Sequence, residues 1–544
     1  MKRLSYFLIL SLLSLSLIVS CDKGGSGRID VILSSDLHGA LDTTGAKISS
    51  YINLVRAGNA RNTVVLDGGD FLDGNNLLYY ANFVDTLEDH ICSRFYNFLE
   101  YDALTLGNHD IELGFRCLDK MHSSLKAPVL CCNIYRKDNA KLVFKPYTII
   151  KRGGLKIAVI GMINPMTMAG ISTDTWKSIY STSMYIAASE WVPKVRKSEN
   201  PDVVILLAHS GGEKYPENLP DLELLNYLYY VAEQVEGIDL ICASHSHNTT
   251  LDKVVGPKGR EVSIMGVAPH GQQLAHAVIE KSPENGLSTD CEIISTDKVP
   301  ADEAYLAHFG PFLQKAGEFG KTPLFYIDTT VSALNAAHES TAAAGLLHEL
   351  YRKIIQSSKA GKVGVDANMV TLFIERPALE KGVVTHNDFH NLLPYEDKLC
   401  VVALTGSQLY RLLDYNYTMF HEPNGQRYYV DDIEGFYYYT SRERKFNNFE
   451  SNILHSYPAH IYIYSSDKYV NEYYPAQVYH VAMNSFRAYN GGNFLSNALG
   501  WSNKAIKAHI VWESETSIRS MIMDITNPTD TLRPRALNNW KEID

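Results

Sequence analysis

The sequence predicts a two-domain α/β protein whose first domain is a layered α/β sandwich. Three observations support this prediction. The chain has 544 residues, which exceeds the length of an ordinary single domain. From Ile29 to about Pro300, short strand-like runs alternate with helix-length segments, as happens when helices cover the faces of a sheet. A further helical segment around residues 302–320 then separates this half from a second one.

The N-terminus predicts export and attachment to a membrane. Lys2-Arg3 precede the apolar run Leu4–Val19, so residues 1–20 have the pattern of a secretory signal. The alternative is an uncleaved membrane anchor, for which the run is short. Because Ile18-Val19-Ser20-Cys21 resembles a bacterial lipobox, Cys21 is expected to become the lipidated first residue, followed by a flexible tether over 21–28. We therefore expect a membrane-anchored lipoprotein of the bacterial periplasm or outer membrane.

Five short apolar runs in the first half each lead into a loop of polar residues that can bind metals. Parallel strands commonly carry such residues at their carboxyl ends, so the five loops predict one site at the C-terminal edge of a sheet. A single loop of this kind would be an ordinary turn, and Gly and Asn in particular favour turns. The runs and their loops are Ile29–Leu33 before Asp36 and His38, Thr63–Leu66 before Asp70, Ala103–Leu106 before Asn108 and His109, Val203–Leu207 before His209, and Leu240–Ala243 before His245 and His247.

The remaining segments complete two domains, predicted at residues 29–300 and 324–544, with a linker helix over 301–323. In the first domain, Asn82–Glu100 and Thr182–Lys197 are predicted helices, and Pro193 predicts a kink or an early end in the second of them. In the linker, aromatic residues at positions 305, 309 and 312 lie at helical spacing. Further predictions are strands at Lys156–Ile160 and Val262–Val267, a helix at Thr341–Ile355, strands at Met369–Phe373 and Leu399–Leu404, and a helix at Gly406–Asn416.

The residue types in the five loops suit two divalent cations. A hydrolytic two-metal site needs cations roughly 3.5–4 Å apart that share a bridging carboxylate. Oxygen and nitrogen donors without thiolates favour Mn, Zn, Fe or Co over a structural zinc cage. The seven candidate ligands are Asp36, His38, Asp70, Asn108, His209, His245 and His247.

These blocks, taken in order, resemble the signature blocks of calcineurin-like metallophosphoesterases. The large second half narrows the resemblance to the family of 5′-nucleotidases, UDP-sugar hydrolases and 2′,3′-cyclic phosphodiesterases. The resemblance implies a four-layer α/β sandwich followed by an α+β 5′-nucleotidase-type C-terminal domain. It also implies that Asp36, His38, Asp70 and His247 hold one metal and that Asp70, Asn108, His209 and His245 hold the other, with Asp70 as the bridge.

The same resemblance assigns His109 a catalytic role without a metal bond. In the family this histidine stabilises charge on the transferring phosphoryl group or the leaving oxygen, and a nearby carboxylate holds it. The matching carboxylate is Glu112, while Asp110 is the adjacent residue. A carboxylate beside an imidazole raises its pKa and keeps it cationic against a phosphate.

The second domain is expected to bind the substrate. Family members stack the nucleoside between two aromatic rings, for which Phe486 and either Tyr428 or Tyr429 are the candidates. The family's Asn-x-Gly-Gly-x-Arg segment corresponds to Thr371–Arg376, where only Arg376 agrees by position. Thr371 and Glu375 depart from that pattern, which weakens the expectation of a second phosphate or a diphosphate in the substrate.

Composition limits the classes of partner, and the resemblance indicates the reaction. The net charge of −11 argues against a nucleic-acid polymer as partner. The seven cysteines after Cys21 are odd in number and irregularly spaced, which predicts buried free thiols. We expect an exported two-metal phosphoesterase that hydrolyses nucleotides to nucleoside and phosphate by in-line attack of a metal-bridging water. The alternatives are a 2′,3′-cyclic-nucleotide phosphodiesterase/3′-nucleotidase, suggested by the Phe486-Arg-Ala-Tyr489 sequence, a UDP-sugar hydrolase, and a surface nucleotide-binding adhesin without catalysis.

Overall fold

The computed structural model describes residues 27–543 apart from 86–87, 171–177, 218, 220, 285, 375–376, 422–428, 442–461, 466–467 and 471–473. The predicted signal, the predicted lipidation residue Cys21 and most of the predicted tether lie outside the described residues. Within them, no helix combines the length and the apolar character that crossing a membrane requires. The seven cysteines in the described part of the chain are free thiols, and all but Cys291 are buried, as the sequence predicts.

Two six-stranded sheets form the centre of the first domain. The first sheet has the order β14 (Gly286–Ser295), β13 (Gln273–Ser282), β1 (Gly27–Ser34), β2 (Thr63–Asp67), β3 (Ala103–Thr105) and β4 (Val129–Leu130). The second has the order β11 (Thr250–Val255), β12 (Glu261–Gly266), β10 (Leu240–Ala243), β9 (Val203–His209), β7 (Leu155–Ile163) and β6 (Tyr147–Arg152). Short strands β5 (Ile134–Arg136) and β8 (Ile179–Ser181) pair separately.

Alternation along the strands explains why the sheets stack with helices outside them. In β1, Ile29, Val31 and Leu33 pack into the core between the two sheets, whereas Ile32 packs against the helices on the other face. The second sheet repeats this pattern, because Ile205 and Leu207 face inward while Leu206 packs against its own helices. The result is the expected four-layer α/β sandwich.

The first domain contains helices on both outer faces. These are α1 (Thr43–Asn59), α2 (Asn76–Tyr79), α3 (Ile91–Phe98), α4 (Asn108–Glu112), α5 (Phe115–His122), α6 (Met184–Glu199), α7 (Asp221–Leu224) and α8 (Leu228–Gln234). The predicted helix at Asn82–Glu100 is wrong over its first half. A π-helical turn ends at Val84, and α3 begins only after His90, whose side chain accepts a hydrogen bond from the Cys92 N–H and caps the helix.

The prediction of an early end at Pro193 is also wrong. Helix α6 continues to Glu199, because its buried face, which includes Trp191, Val192 and Val195, stays packed against the second sheet on both sides of the proline. Asn200 caps its C-terminus: this residue has a left-handed backbone, and its N–H donates to the Arg196 carbonyl.

The predicted linker helix is present as α9 (Glu303–Gly320), and it packs on the first domain. Asp302 caps it and also accepts hydrogen bonds from Ser49 and Asn53 of α1. The buried rings of Tyr305, Phe309 and Phe312 join the core outside the first sheet, so the helical spacing read from the sequence corresponds to a buried face.

The second domain is α+β. Its main sheet has the order β19 (Tyr429–Glu434), β16 (Ala367–Phe373), β23 (Val478–Asn484), β18 (Lys398–Thr405) and β24 (Ile510–Ser517). A three-stranded sheet has the order β17 (Gly382–Thr385), β15 (Pro323–Ile327) and β25 (Thr531–Leu532). A four-stranded sheet has the order β22 (Lys468–Val470), β21 (Tyr462–Ser465), β20 (Phe436–Ser441) and β26 (Trp540–Ile543). The helices are α10 (Ala342–Ser357), α11 (His386–Leu392), α12 (Gly406–His421), α13 (Ser485–Ala488), α14 (Phe494–Leu499), α15 (Asn503–His509) and α16 (Ile518–Ile525).

A buried ion pair stabilises the second domain beside its main sheet. The Arg487 guanidinium lies 2.7 Å from Asp431 Oδ2 and donates from Nε to Oδ1 at 3.1 Å, and both side chains are almost fully buried. The guanidinium also stacks over the rings of Tyr429 and Phe494, at 4.6 and 4.3 Å from their centroids. Removing the arginine charge would leave the buried Asp431 carboxylate without its positively charged partner.

We therefore expect Arg487→Met to destabilise the protein by about 3–5 kcal/mol, because an unpaired buried charge is costly. The midpoint of thermal unfolding should fall by roughly 10 °C. The matched control is Arg28→Met, since Arg28 forms an equally short pair with Glu280 at 2.7 Å but is half exposed. The control should change stability by less than about 1 kcal/mol, and equal losses in the two variants would contradict the prediction.

Candidate metal centre and active-site cleft

The predicted ligands converge where the carboxyl ends of parallel strands from both sheets meet. Asp36 and His38, Asp70, and Asn108 follow β1, β2 and β3 of the first sheet, respectively. His209 ends β9, and His245 and His247 follow β10, both strands of the second sheet. The prediction of a single sheet edge is therefore wrong, because two facing sheets each supply part of the site.

The side chains form two adjoining groups. In the first, ligand atoms of Asp36, His38 and His247 lie close together, and the Nε2 atoms of the two histidines are 3.2 Å apart. In the second, Asp70, His209 and His245 are grouped, and His209 Nε2 lies 3.2 Å from Asp70 Oδ2 and 3.2 Å from Asn108 Oδ1.

Asp70 lies between the two groups. Its Oδ2 is 3.2 Å from His209 Nε2 and 3.9 Å from His38 Nε2, while its Oδ1 accepts a hydrogen bond from the His109 N–H at 2.9 Å. Gly107 is required beside it, because a Cβ atom at that position would lie 1.9 Å from Asp70 Oδ1. The structure thus places Asp70 where a bridging carboxylate would be.

Hydrogen bonds orient two histidines for metal binding. His38 Nδ1 contacts the Asp73 carbonyl at 2.8 Å, and His209 Nδ1 contacts the Gly68 carbonyl at 2.8 Å. A carbonyl can only accept, so each Nδ1 carries a proton, and Nε2 is the ring atom left to face the other ligand candidates. This is the tautomer that a metal ligand requires.

Three of the four histidine candidates have the neutral state that a ligand needs, whereas His209 is protonated through its contact with Asp70. Burial lowers the pKa of His245 to about 3 and of His247 to about 4, and it holds the pKa of His38 well below its ordinary value. These imidazoles are therefore neutral at pH 7, as ligands must be. For His209, burial lowers the pKa, but the charge of Asp70 outweighs it and raises the pKa to about 9.

Backbone conformation marks the same residues. Asp36, His38, Asp70, His245 and His247 all have positive φ angles between 45° and 69°. Such left-handed residues cost of order 1–3 kcal/mol each and occur mainly at functional sites. Because nitrogen and oxygen donors in this protonation state suit divalent cations, the residues present fit a divalent metal centre.

His109 and Glu112 form a pair at one side of the metal centre. His109 Nδ1 lies 2.6 Å from Glu112 Oε2, and both side chains are mostly buried. Burial lowers the pKa of His109, but the charges of Glu112 and Asp70 outweigh it and hold the pKa well above its ordinary value. The imidazole is consequently a cation, and it lines the same cleft as Asp70 and Asn108.

Asp110 has a structural position that the sequence does not reveal. Its buried carboxylate accepts hydrogen bonds from the N–H groups of Asp70, Phe71, Leu72 and Gly107. It thereby ties the loop after β2 to the loop after β3. An acidic residue beside an Asn-His pair was the available signal, but its partners are distant in the sequence.

A cleft of about 1020 Å³ joins the metal centre to the second domain. The first domain contributes Asp70, Asn108, His109, His245 and His247, and the second contributes Phe373, Tyr395, Asp397, Tyr429 and Phe486. The predicted substrate residues Phe486 and Tyr429 are thus brought to the same cleft as the metal ligands. Arg376 and Tyr428, also predicted to bind substrate, lie outside the described residues, as does Glu375.

The two described candidates for base stacking are not parallel to each other. Phe486 and Tyr429 are 6.1 Å apart at an angle of 84°. Thr371, which differs from the family's Asn-x-Gly-Gly-x-Arg segment, is buried. It donates a hydrogen bond to Asp431 and accepts one from Asn484. Asp397, which the sequence did not single out, accepts from the Ser485 hydroxyl and the Phe486 N–H, both at 2.8 Å, and so fixes the loop that carries Phe486.

Comparisons with known proteins agree with the site. Residues 29–249 match the calcineurin-like phosphoesterase family, and residues 327–499 match the 5′-nucleotidase C-terminal domain. The chain is 24% identical to the 2′,3′-cyclic-nucleotide 2′-phosphodiesterase/3′-nucleotidase of Haemophilus influenzae, over 91% of this chain and 83% of that protein. It is also 24% identical to the protein UshA of Yersinia enterocolitica, over 58% of this chain and 62% of UshA.

A solved structure shares the fold. The crystal structure of a 5′-nucleotidase precursor from Thermus thermophilus superposes with a TM-score of 0.66 at 17% identity, and covers 95% of this chain and 99% of that one. The family matches span both domains, and the cleft between these domains contains a site suited to divalent metal ions. The chain therefore belongs to the calcineurin-like metallophosphoesterases that carry a 5′-nucleotidase C-terminal domain, and it is a metal-dependent phosphoester hydrolase.

Proposed function

We propose that this hydrolase acts on nucleoside monophosphates as a 5′-nucleotidase, with two divalent metal ions at its centre. The observation that carries the proposal is the shape of the cleft. Four of the seven ligand candidates, Asp70, Asn108, His245 and His247, line one end of it, and aromatic side chains of the second domain line the other. A substrate in this cleft would place a phosphoryl group at the metals and a base against an aromatic face such as Phe486.

The residues present define two metal positions. Asp36, His38, Asp70 and His247 would hold one ion, and Asp70, Asn108, His209 and His245 would hold the other. When bound, the ions polarise the phosphoryl group and lower the pKa of a shared water. Asn108 is a neutral ligand, so the set of donors carries only two carboxylate charges toward an anionic substrate.

His109 is proposed to stabilise negative charge during the reaction. The charge of Glu112 keeps the His109 imidazole protonated, and the ion pair at Nδ1 holds the ring so that Nε2 could donate toward the phosphoryl or leaving oxygen. A fixed cationic donor in a cleft that excludes much of the water acts strongly on developing charge.

A second candidate function is hydrolysis of 2′,3′-cyclic nucleotides together with 3′-nucleotides. The similarity to the Haemophilus influenzae protein over most of both chains favours it, as does the Phe486–Tyr489 sequence. The sequence-based alternative of a UDP-sugar hydrolase has less support. The described lining of the cleft outside the metal centre includes the carboxylates of Glu213, Glu223 and Asp397, whose negative charges would repel the second phosphate of such a substrate. The non-catalytic adhesin alternative does not fit a hydrolase family.

Export is part of the proposal. The signal-like segment 1–20 and the lipobox-like end at Cys21 support a lipoprotein that its lipid anchors to a membrane, in the bacterial periplasm or at the outer membrane. Its substrates would then be nucleotides outside the cytoplasm.

The first test is phosphate release by the protein after metal removal and after reloading with Mn. We expect a chelator to abolish activity and Mn to restore it, because the ligand side chains cannot activate a phosphoryl group without the metal ions. The panel is 5′-AMP, 3′-AMP, 2′,3′-cyclic AMP with an added phosphatase, and UDP-glucose. Preference for 5′-AMP supports the proposal, whereas preference for the cyclic or 3′ substrate favours the second candidate. Undiminished activity in the metal-free protein would contradict a metal-dependent mechanism.

His109→Ala should lower kcat by about 10²–10⁴-fold, the range for loss of a proton-donating catalytic group. Its metal content, measured by plasma mass spectrometry, should equal that of the wild type. The comparison variant His209→Ala should lose both metal and activity. His308→Ala, on the exposed side of α9, serves as a control for histidine replacement and should leave kcat unchanged. Metal loss in His109→Ala would instead make His109 a ligand.

Cys21→Ala should abolish incorporation of radioactive palmitate when the full chain is expressed in a bacterial host. The variant should also move from the membrane fraction to the soluble fraction, because no lipid remains to hold it. Unchanged labelling and fractionation would refute the lipoprotein assignment.

A further inference from the structure

We propose that Tyr395, which belongs to the second domain, is a positioning residue for His109 of the first domain. The inference rests on the proposed role of His109 in phosphoester hydrolysis. It assigns the orientation of the catalytic imidazole partly to a ring that reaches the active site from the other domain.

The contact between the two rings is parallel and close. Their centroids are 4.7 Å apart and their planes differ by 13°, so Tyr395 covers one face of the imidazole. The ring of His38 approaches His109 edge-on, with centroids 5.3 Å apart at 74°. The ion pair with Glu112 fixes Nδ1 of His109, but a single contact at one ring atom leaves the ring free to tilt. Stacking against a flat partner restricts that tilt, and an aromatic face also favours a cationic imidazole.

Tyr395 is held firmly enough to act in this way. The following residue, Glu396, forms a buried ion pair with Arg519 at 2.8 Å, and Arg519 also donates to the Leu393 carbonyl on the other side of Tyr395. The ring itself meets Phe373 edge-on, with centroids 5.7 Å apart. Both flanks of Tyr395 are therefore anchored in the second domain.

The same segment contacts the first domain next to the metal centre. The Glu396 N–H donates to Asp73 Oδ2 at 3.3 Å, and the Asp73 carbonyl is the acceptor for His38 Nδ1. Close by, His390 Nε2 lies 3.0 Å from the Gly74 carbonyl. The loop at Asp73-Gly74 thus contacts the second domain through two hydrogen bonds, and these contacts help to position Tyr395 over His109.

The consequence is a catalytic site that is complete only when the two domains are together. If the second domain moves away, His109 loses the ring that covers it. Because Tyr395 stacks on His109, which is not assigned as a metal ligand, replacing Tyr395 should affect the rate of the chemical step more than metal binding.

The test is a double-mutant cycle with Tyr395→Leu, Tyr395→Phe and His109→Gln, assayed on the preferred nucleotide and on p-nitrophenyl phosphate. Tyr395→Leu should lower kcat about 10- to 100-fold, the scale of a small misplacement of a catalytic group, with metal content unchanged. Tyr395→Phe keeps the ring and should restore most of kcat. In the His109→Gln background, Tyr395→Leu should cause no further loss, because both changes remove the same function.

Tyr429→Leu is the matched control, since Tyr429 lines the same cleft from the same domain but its ring contacts Phe373 and Phe486. We expect it to raise KM and to remain additive with His109→Gln. The proposal is overturned if Tyr395→Leu leaves kcat unchanged, if its effect is additive with that of His109→Gln, or if Tyr395→Phe is as impaired as Tyr395→Leu.

A measurement without turnover separates this inference from the proposed function. With ¹³C-labelled histidine, the ring signal of His109 is identified by its disappearance in His109→Gln. It should show an upfield ring-current shift that Tyr395→Phe retains and Tyr395→Leu removes. If the wild type hydrolyses no substrate, the proposed function fails, and this shift still decides whether Tyr395 covers His109. An unshifted signal that does not respond to Tyr395→Leu would refute the contact.

Discussion

The negative charge of Asp70 is the interaction on which the active site depends. Burial raises the pKa of this carboxyl, but His209 and His109 outweigh the effect and hold the pKa well below its ordinary value. Asp70 is therefore ionised at the meeting point of two sheets, where a carboxylate alone would be very unfavourable. Its two oxygens serve different neighbours, since Oδ1 accepts from the His109 backbone and Oδ2 faces the histidines. Ligands, catalytic histidine and the Gly107 turn are all arranged around that charge.

The sequence identifies ligand candidates that the structure brings together, because each one either ends a buried strand or follows one by two to four residues. Such motifs are local, and parallel strands bring their carboxyl ends together without further information. The four layers follow from the alternation within β1 and β9. What local patterns do not show is the division of the strands between two sheets, since a buried strand reads the same in either. Nor do they show where α3 begins, because the His90 cap competes with a helical pattern on both sides.

Contacts between the domains could not be predicted for a different reason. Tyr395 and His109 are separated by more than 280 residues, and neither periodicity nor a motif links them. The same holds for Asp73 with Glu396, and for Thr371, whose departure from the family pattern has a place in the hydrogen-bond network of Asp431 and Asn484. Short sequence motifs therefore predict the part of the cleft that contains the ligand candidates. The part formed by the second domain depends on tertiary packing, which such motifs do not show.

The left-handed backbone of the ligand loops also limits which amino acids these positions can hold. Among residues with a side chain, Asp, Asn and His enter this conformation most readily, and they are also hard oxygen and nitrogen donors. At Asp36, His38, Asp70, His245 and His247, backbone geometry and coordination chemistry therefore select the same short list of residue types. An alanine at such a position would lose a donor and would also strain the chain. These loops can therefore accept few residue types, because a substitution has to satisfy the left-handed backbone and the ligand chemistry at once.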